Sequence, residues 1–372
     1  MPKRSRTETL APLVAAWVAL SAAATWTQPA LAGPGLLDTA CRIPGKPVDE
    51  SGYVAIGGIR QWVTIDGEDC ANPVVLIVHG GPGNPNTPFA HALFGPWAKA
   101  FTVVQWDQRG SGKTYAESKP GDGEVLTMAR LTADGLDVAR YAASRLGKRK
   151  VILMGGSWGS ALAVHMAMAA PDLFHAYVGT AQLVNYQSDV AAGYAKTVAL
   201  ARAAADADSL GKLEKLGPPP WTDPRAFGIL RRVTRRYEAL STDPPPKGWF
   251  DFAPGYDTPA YAAAYEAGED YSFLNFVGLA GDGMGPRIDL RKLGVRFAMP
   301  VYMLQGDDDL VTPPDVSRAY FDDLVAPRKE FLPLARTGHD PNRTMIDAQY
   351  AVLQRLRAEA LEADERPAGP PR

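Results

Sequence analysis

Apolar positions along this chain follow two rhythms, and the rhythms alternate. Val74-Val75-Leu76-Ile77-Val78 is an unbroken apolar run, the pattern of a strand buried on both faces of a parallel sheet. Similar runs recur at Phe101–Trp106, Val151–Met154, Ala176–Gly179, Met299–Gln305 and Glu330–Leu334. Between them lie stretches of helical period: Pro88 to Ala100, Leu126 to Leu146 with Leu131, Leu136, Val138, Ala142 and Leu146 near one face, Ala161 to about Ala170, and Asn342 to about Ala363. Two earlier strands, Tyr53–Ile56 and Ile59–Ile65, flank a Gly57-Gly58 turn. This alternation predicts an α/β fold with a doubly wound, mostly parallel central sheet. From about Asn185 to Pro286 the strand rhythm stops. That segment reads as helical, broken at Pro218-Pro219-Pro220 and Pro244-Pro245-Pro246, and it is rich in aromatics from Trp221 to Phe276. It is expected to be a helical cap inserted into the sheet domain, its aromatics forming first a core and only second a wall of the substrate site.

The chain ends modify this picture. Lys3, Arg4 and Arg6 precede an apolar run from Leu10 to Ala24, and Ala30-Leu31-Ala32 offers a small-x-small cleavage site. These are the parts of a bacterial-type secretory signal cut after Ala32, so the expected location is secreted or periplasmic, without stable membrane association after removal. The expected organisation is a signal peptide at 1–32, a sheet core at 33–184 and 287–364, a cap at 185–286 and a disordered Pro/Gly tail at 365–372. With 372 residues the chain is long enough for one large α/β domain with an insertion. The net charge is −2 with no long basic run, so nothing favours a nucleic-acid partner. Its two cysteines, Cys41 and Cys70, allow one disulfide tying the N-terminal segment to the loop before the next strand; two free thiols are the alternative.

Chemistry concentrates where strands end. Val151–Met154 runs into Gly155-Gly156-Ser157-Trp158-Gly159 and then into a helical pattern. In this strand–turn–helix setting Gly-x-Ser-x-Gly holds its serine on a strained, exposed turn whose flanking positions must be small. A serine hydroxyl needs a base, and the base needs an orienting partner. Of five histidines, His91, His165 and His175 lie within or beside regular elements, and His79 opens a glycine turn. His339 lies in the loop between the last strand and the last helix, a position where such folds bind ligands. The orienting carboxylate is expected between Ser157 and His339, and the last long strand runs into Asp307-Asp308-Asp309. Spacing alone does not choose among the three; the pattern in related α/β-hydrolases, Gly-x-x-Asp followed closely by Pro, matches Gly306 to Asp309 with Pro313 and favours Asp309, while Asp307 and Asp308 suit a turn or a helix cap. Two backbone N–H groups must face the oxyanion of a tetrahedral intermediate, and Trp158 and Gly81 are the candidates.

Three stretches taken in order, His79-Gly80-Gly81-Pro82-Gly83, Asp107-Gln108-Arg109-Gly110-Ser111-Gly112-Lys113 and Gly155-Gly156-Ser157-Trp158-Gly159-Ser160, resemble the signatures of the proline iminopeptidase (prolyl aminopeptidase) family of α/β-hydrolases. The resemblance spans roughly residues 50–185 and 299–345. It implies the α/β-hydrolase fold with Ser157 as nucleophile, Asp309 as orienter and His339 as base. His79 and Asp107 to Gly112 would be architectural. It implies an aminopeptidase that frees N-terminal proline or another small residue from short peptides through an acyl-enzyme, with no metal or organic cofactor. Family members bind the substrate's α-ammonium with acidic residues from the cap; Glu266 and Glu269 are candidates here, with Asp270 in the same Tyr-rich stretch and Glu238 further back. A carboxylesterase or other ester or amide hydrolase with the same triad is the alternative. A catalytically silent binding module is a third reading, against which the intact Ser157, Asp309 and His339 set argues. Ser157 also excludes the epoxide-hydrolase or dehalogenase chemistry that needs an aspartate at the elbow.

Overall fold

A computed structural model describes residues 45–121 and 123–365, all within one compact unit. The signal-peptide segment, Cys41 and the tail Arg366–Arg372 lie outside the described residues. Cys70 is buried and disulfide-bonded. Among the described residues no helix is long and apolar enough to cross a membrane.

The sheet has eight strands: β1 (Val48–Ile56), β2 (Ile59–Gly67), β3 (Val74–Val78), β4 (Thr102–Trp106), β5 (Val151–Gly156), β6 (Phe174–Thr180), β7 (Val301–Gly306) and β8 (Lys329–Leu334). Their order is β1-β2-β4-β3-β5-β6-β7-β8; β1 and β2 are antiparallel to each other and β2 to β4, and every later pairing is parallel. Strand order reverses direction around β3, which places β3 and β5 side by side at the centre, where ligands bind at the carboxyl ends of such sheets. The mostly parallel sheet is the one expected from the alternation, and its arrangement is the α/β-hydrolase fold that the motif resemblance implies.

The apolar runs bury both faces. Leu76, Val78, Val104, Leu153 and Met303 pack towards α1 (Met128–Arg145) and α2 (Trp158–Ala169). Their neighbours Val75, Ile77, Val103, Ile152 and Leu304 point the other way, into a second cluster with Val352, Leu353 and Leu356. Period-two alternation within a continuous run therefore feeds two cores at once.

Four longer helices fill most of the stretch between β6 and β7, with one further helical turn at Leu290–Leu293: α3 (Tyr186–Ala203), α4 (Ala207–Leu216), α5 (Arg225–Ser241) and α6 (Pro259–Val277). Asn185, Asp206 and Thr258 cap α3, α4 and α6, each side chain accepting an N–H from the first turn. These helices have their own apolar cluster of Val198, Ala201, Leu213, Leu230, Val233 and Tyr237, and Leu310 from the loop after β7 inserts into it. After β7 come α7 (Pro314–Asp323), β8 and α8 (Arg343–Glu365). The helix expected over Pro88–Ala100 is broken into a 3₁₀ turn at Thr87–Phe89, one α turn at Ala90–Phe94 and a second 3₁₀ stretch at Gly95–Lys99. Pro96 has no N–H to continue the α ladder, so the helix tightens there instead of running through.

The turn from β5 to α2 depends on close backbone approach. A Cβ at Gly159 would collide with the carbonyl oxygens of Val78 and His79, and one at Gly155 with the Gly159 carbonyl. Gly159→Ala should therefore push α2 off β3 and cost at least ~1–3 kcal/mol. Gly211→Ala, in α4 with open space around its Cα, should instead stabilise by ~0.5–1 kcal/mol. Chemical denaturation of the two variants checks the opposite signs; a silent Gly159→Ala would refute the tight turn.

Candidate active site

Ser157 sits between β5 and α2 with φ 53° and ψ −125°, a left-handed conformation rare for a residue with a side chain. The conformation lifts its hydroxyl off the sheet edge towards the loop after β8. There His339 Nε2 accepts a hydrogen bond from the hydroxyl at 2.9 Å. On the other side of the ring, His339 Nδ1 lies 3.1 and 3.0 Å from the two Asp309 oxygens. A carboxylate can only accept, so the proton is on Nδ1 and Nε2 is free to accept from Ser157. The structure thus joins Ser157, His339 and Asp309, three residues far apart in the chain, in one hydrogen-bonded line. Asp307 is exposed and Asp308 half-buried, and only Asp309 meets the imidazole.

Asp309 is fully buried, which by itself disfavours its charge, yet its carboxyl is held below the usual range. His339 opposes the burial, with Thr312 N–H (2.8 Å) and Thr312 Oγ1 (2.8 Å) donating as well. Val311 N–H at 2.8 Å and Gln305 Nε2 at 3.0 Å complete its donors. For His339 burial pulls the pKa down, but the Asp309 charge and hydrogen bond outweigh it, and the ring titrates above its ordinary value.

Gly80 and Gly81 form the turn beside the elbow. A Cβ on Gly80 would lie 3.4 Å from Ser157 Cβ, and Gly81 has φ 108°, a conformation suited to glycine. Trp158 is the first residue of α2, and the leading N–H groups of a helix have no carbonyl within it. The two proposed donors thus come from the turn next to Ser157 and from the residue that follows it.

His79 is buried, and its Nδ1–H donates to the Gly80 carbonyl at 2.9 Å while Nε2 accepts from Gln108 N–H at 3.1 Å. Burial pushes its pKa down to about 4, so the ring is a neutral brace. The Gln108 side chain donates to the His79 carbonyl at 2.9 Å and accepts from the Trp158 indole at 3.0 Å. Arg109 pairs with buried Asp134 at 2.9 Å. Motif residues expected to be architectural are placed as such, and the indole of Trp158 has a structural partner that the sequence did not suggest.

A cavity of about 900 Å³ opens over Ser157 and His339, between the sheet edge and helices α5 and α6. Phe89, Leu93, Phe94, Phe227 and Phe273 give it an apolar wall, and Glu269, Asp270, Asp340, Arg231, Arg232 and Arg235 supply charge. Glu269 lines it and lies close to the glycine turn: a Cβ on Gly83 would come 2.7 Å from Glu269 Cα. Glu266 does not; it is exposed, a turn before Asp270, and outside the lining. Glu238 is likewise not free for a ligand. It is buried, with Oε1 accepting from Leu310 N–H at 3.0 Å and Oε2 paired with Arg231 at 2.7 Å. Arg231 also holds Asp340, the neighbour of His339, at 2.8 Å. Among the described residues no group of three or more His, Cys, Asp or Glu side chains could hold a metal.

One carboxyl near the site carried no sequence signal. Asp189, in the first turn of α3, accepts N–H from Val184 and Asn185 at 3.0 Å each. Burial pushes it up to about 8, with the Asp309 charge adding to the effect. An aspartate at a helix start is ordinary, so only the fold shows its proximity.

Comparison with known proteins now bears on this geometry. A family model described as Serine aminopeptidase, S33 matches residues 69–342. The chain belongs to that family. This hydrolase is 29% identical over 305 residues to the "Probable aminopeptidase YbaC" of Bacillus subtilis, covering 78% of this chain and 90% of that protein. It is 28% identical over 333 residues to a proline iminopeptidase of Neisseria gonorrhoeae, covering 82% and 97%. Among solved structures it resembles a proline iminopeptidase-related protein from Thermus thermophilus, with 25% identity, coverage of 85% and 98%, and a TM-score of 0.53. The hydrolase therefore resembles proline iminopeptidases in sequence along most of its length and shares their fold.

The electrostatics are directly measurable. In a histidine NMR titration His339 should titrate above about 6.5 and His79 near 4. Asp309→Asn removes the charge that raises the His339 value and should lower it. A His339 that does not respond to Asp309→Asn would break the described coupling.

Proposed function

We propose that this hydrolase is a serine aminopeptidase that releases N-terminal proline or another small residue from peptides through an acyl-enzyme. The observation that carries the reading is the unbroken line Ser157 Oγ–His339–Asp309 at hydrogen-bonding distances, opening on a cavity with an acidic residue, Glu269, beside the glycine turn. The aminopeptidase names of its relatives support the same substrate class.

In this reading Ser157 Oγ bonds to the scissile carbonyl carbon as His339 Nε2 takes its proton. The carbonyl π electrons move to oxygen, and the oxyanion receives the N–H groups of Gly81 and Trp158. Asp309 stabilises the imidazolium without taking its proton. As the carbonyl reforms, the C–N bond breaks and His339 Nε2 gives its proton to the leaving amine. Water then attacks the acyl-serine ester by the same proton path and frees the amino acid. Glu269 receives the α-ammonium. On the pattern of Met1–Ala32, the enzyme acts after export, secreted or periplasmic. The apolar wall of Phe89, Leu93, Phe94, Phe227 and Phe273 favours one second reading, an esterase whose acyl chain lies where a proline ring would.

A parallel assay of prolyl and other aminoacyl aryl-amides against short acyl esters tests the choice. Ser157→Ala should abolish turnover and fluorophosphonate labelling while leaving the fold intact. Asp309→Asn should lower kcat about 10⁴-fold, whereas Asp308→Asn should change it little. Glu269→Gln should raise KM for aminoacyl aryl-amides and spare acyl esters; ester turnover with no need for a free amine would select the esterase. Because the base must be neutral, kcat/KM should fall as pH drops through a His339 value above about 6.5.

A further inference from the structure

Charge around the cavity is segregated by helix. Helices α5 and α6 meet where the Phe227 and Phe273 rings lie 5.7 Å apart. From that contact α6 leads back through Asp270 and Glu269 to the Gly81-Pro82-Gly83 turn, with Glu269 Cα close against Gly83. Along α5 the chain runs the other way, through Arg231 and Arg235, roughly 6 and 12 Å beyond Phe227 at helical rise. That end borders the His339 loop: Arg231 and Arg235 reach the two Asp340 oxygens at 2.8 and 3.5 Å. The α6 acids thus stand at the glycine-turn end of the cavity, and the α5 arginines at the His339 end, where Asp340 is the one acid beside them among the charged lining residues.

The arginines are not equally committed. Arg231 is largely buried and holds Glu238 as well as Asp340. Arg235 is 64% exposed and touches Asp340 only at the longer distance. Arg232 lines the cavity, is exposed, and has no ion-pair partner among the described residues. Two guanidinium groups with spare donors therefore face the half of the site beyond His339.

The direction of the reaction tells which half of the substrate lies there. His339 Nε2 must protonate the leaving amine, so the leaving half occupies the His339 side and the aminoacyl half the glycine-turn side. We propose that Arg232 and Arg235 form a subsite for the C-terminal carboxylate of the substrate, so that the preferred substrates are di- and tripeptides with both termini free. This rests on the aminopeptidase reading above. At about 3.3–3.6 Å per extended residue, one or two residues beyond the scissile bond make a short leaving group within the cavity that Ser157 and these arginines line together. Guanidinium pairs suit carboxylate recognition because their planar donors match its two oxygens. Longer peptides would carry the chain past the arginines and leave them without the terminal charge. The interaction is the same before and during the chemical step, so it acts on KM and leaves kcat to the Ser157 line.

The test uses the full chain and X, the aminoacyl group that gives the fastest aryl-amide turnover. KM is measured for the dipeptide X-Ala, for X-Ala-amide, and for X-Glu-amide, whose only carboxylate is a side chain. The native enzyme should have a KM for X-Ala about tenfold below that for X-Ala-amide, a preference that shrinks with added salt, with X-Glu-amide resembling X-Ala-amide. Arg232→Gln with Arg235→Gln should bring the X-Ala to X-Ala-amide ratio to about one, and Arg232→Lys with Arg235→Lys should retain part of the preference, separating lost charge from lost folding. Equal KM values for X-Ala and its amide in the native enzyme, or a preference that survives the double glutamine variant, would overturn the subsite. A low KM for X-Glu-amide would overturn the terminal assignment in favour of a side-chain carboxylate. Failure to cleave any aminoacyl aryl-amide would instead overturn the aminopeptidase reading, and the subsite with it.

Discussion

One side-chain amide holds the catalytic region together. Gln108 ends neither helix nor strand, yet its Nε2 bonds the His79 carbonyl, its Oε1 takes the Trp158 indole N–H, and its backbone N–H bonds the His79 ring. Two stretches, one at His79 and one at Trp158, are thereby locked to one buried residue. A neutral hydrogen bond adds only ~1 kcal/mol net, but a buried amide left without a partner costs ~1–3 kcal/mol. The geometry is stable because every alternative leaves polar atoms dry and unpaired. Since His79 precedes the Gly80-Gly81 turn and Trp158 follows Ser157, the same bonds tie that turn to the elbow that carries Ser157.

On the opposite side the support comes from the helical insertion. Helix α5 bonds Leu310 N–H through Glu238, next to Asp309, and holds Asp340 through Arg231, next to His339. Leu310 itself packs among Val198, Leu213 and Tyr237. The loops carrying Asp309 and His339 are thus anchored in the element that also roofs the cavity. A buried ion pair is weak evidence for stability, since desolvation offsets most of its attraction. Its consequence here is register: a shift of α5 would move both loops and the cavity wall together. Glu238, which sequence alone leaves open as a ligand for an ammonium group, has no spare acceptor geometry facing the cavity.

The parts legible in the sequence were those set by local pattern. Val74–Val78 and Val151–Met154 read as doubly buried strands, and Ser157 and His339 stand out at strand ends, whereas Asp309 is set apart from Asp307 and Asp308 only by the related Gly-x-x-Asp pattern with Pro313 after it. Local pattern failed where a distant partner decides the outcome. Pro96 splits the expected helix after β3 into short turns. Glu266 and Glu269 look alike in the sequence, and only the packing of α6 against Gly83 separates them. The indole of Trp158 and the carboxyl of Asp189 owe their settings to contacts that the order of residues does not record.

Burial alone does not decide whether a carboxyl near this site carries charge. Asp309, Asp189 and Asp107 are all buried. Asp309 meets two backbone N–H groups, the Thr312 hydroxyl, the Gln305 amide and an imidazole, and it stays below the ordinary carboxylate range. Asp189 has two backbone donors on one oxygen, and Asp107 has the Thr87 hydroxyl and Lys113 N–H. Desolvation wins at both, lifting them to about 8 and about 7. Each bond to the ionised form lowers a pKa and each lost water raises it, so the His339 charge together with the larger donor set holds Asp309 down where Asp189 and Asp107 rise. Ionised Asp309 can steady an imidazolium, while Asp189, neutral through most of the neutral range, leaves the Asp309 charge unopposed by a second anion. Where two carboxyls share a dry region, the one with more donors keeps the charge, and here that is the one aligned with His339 and Ser157.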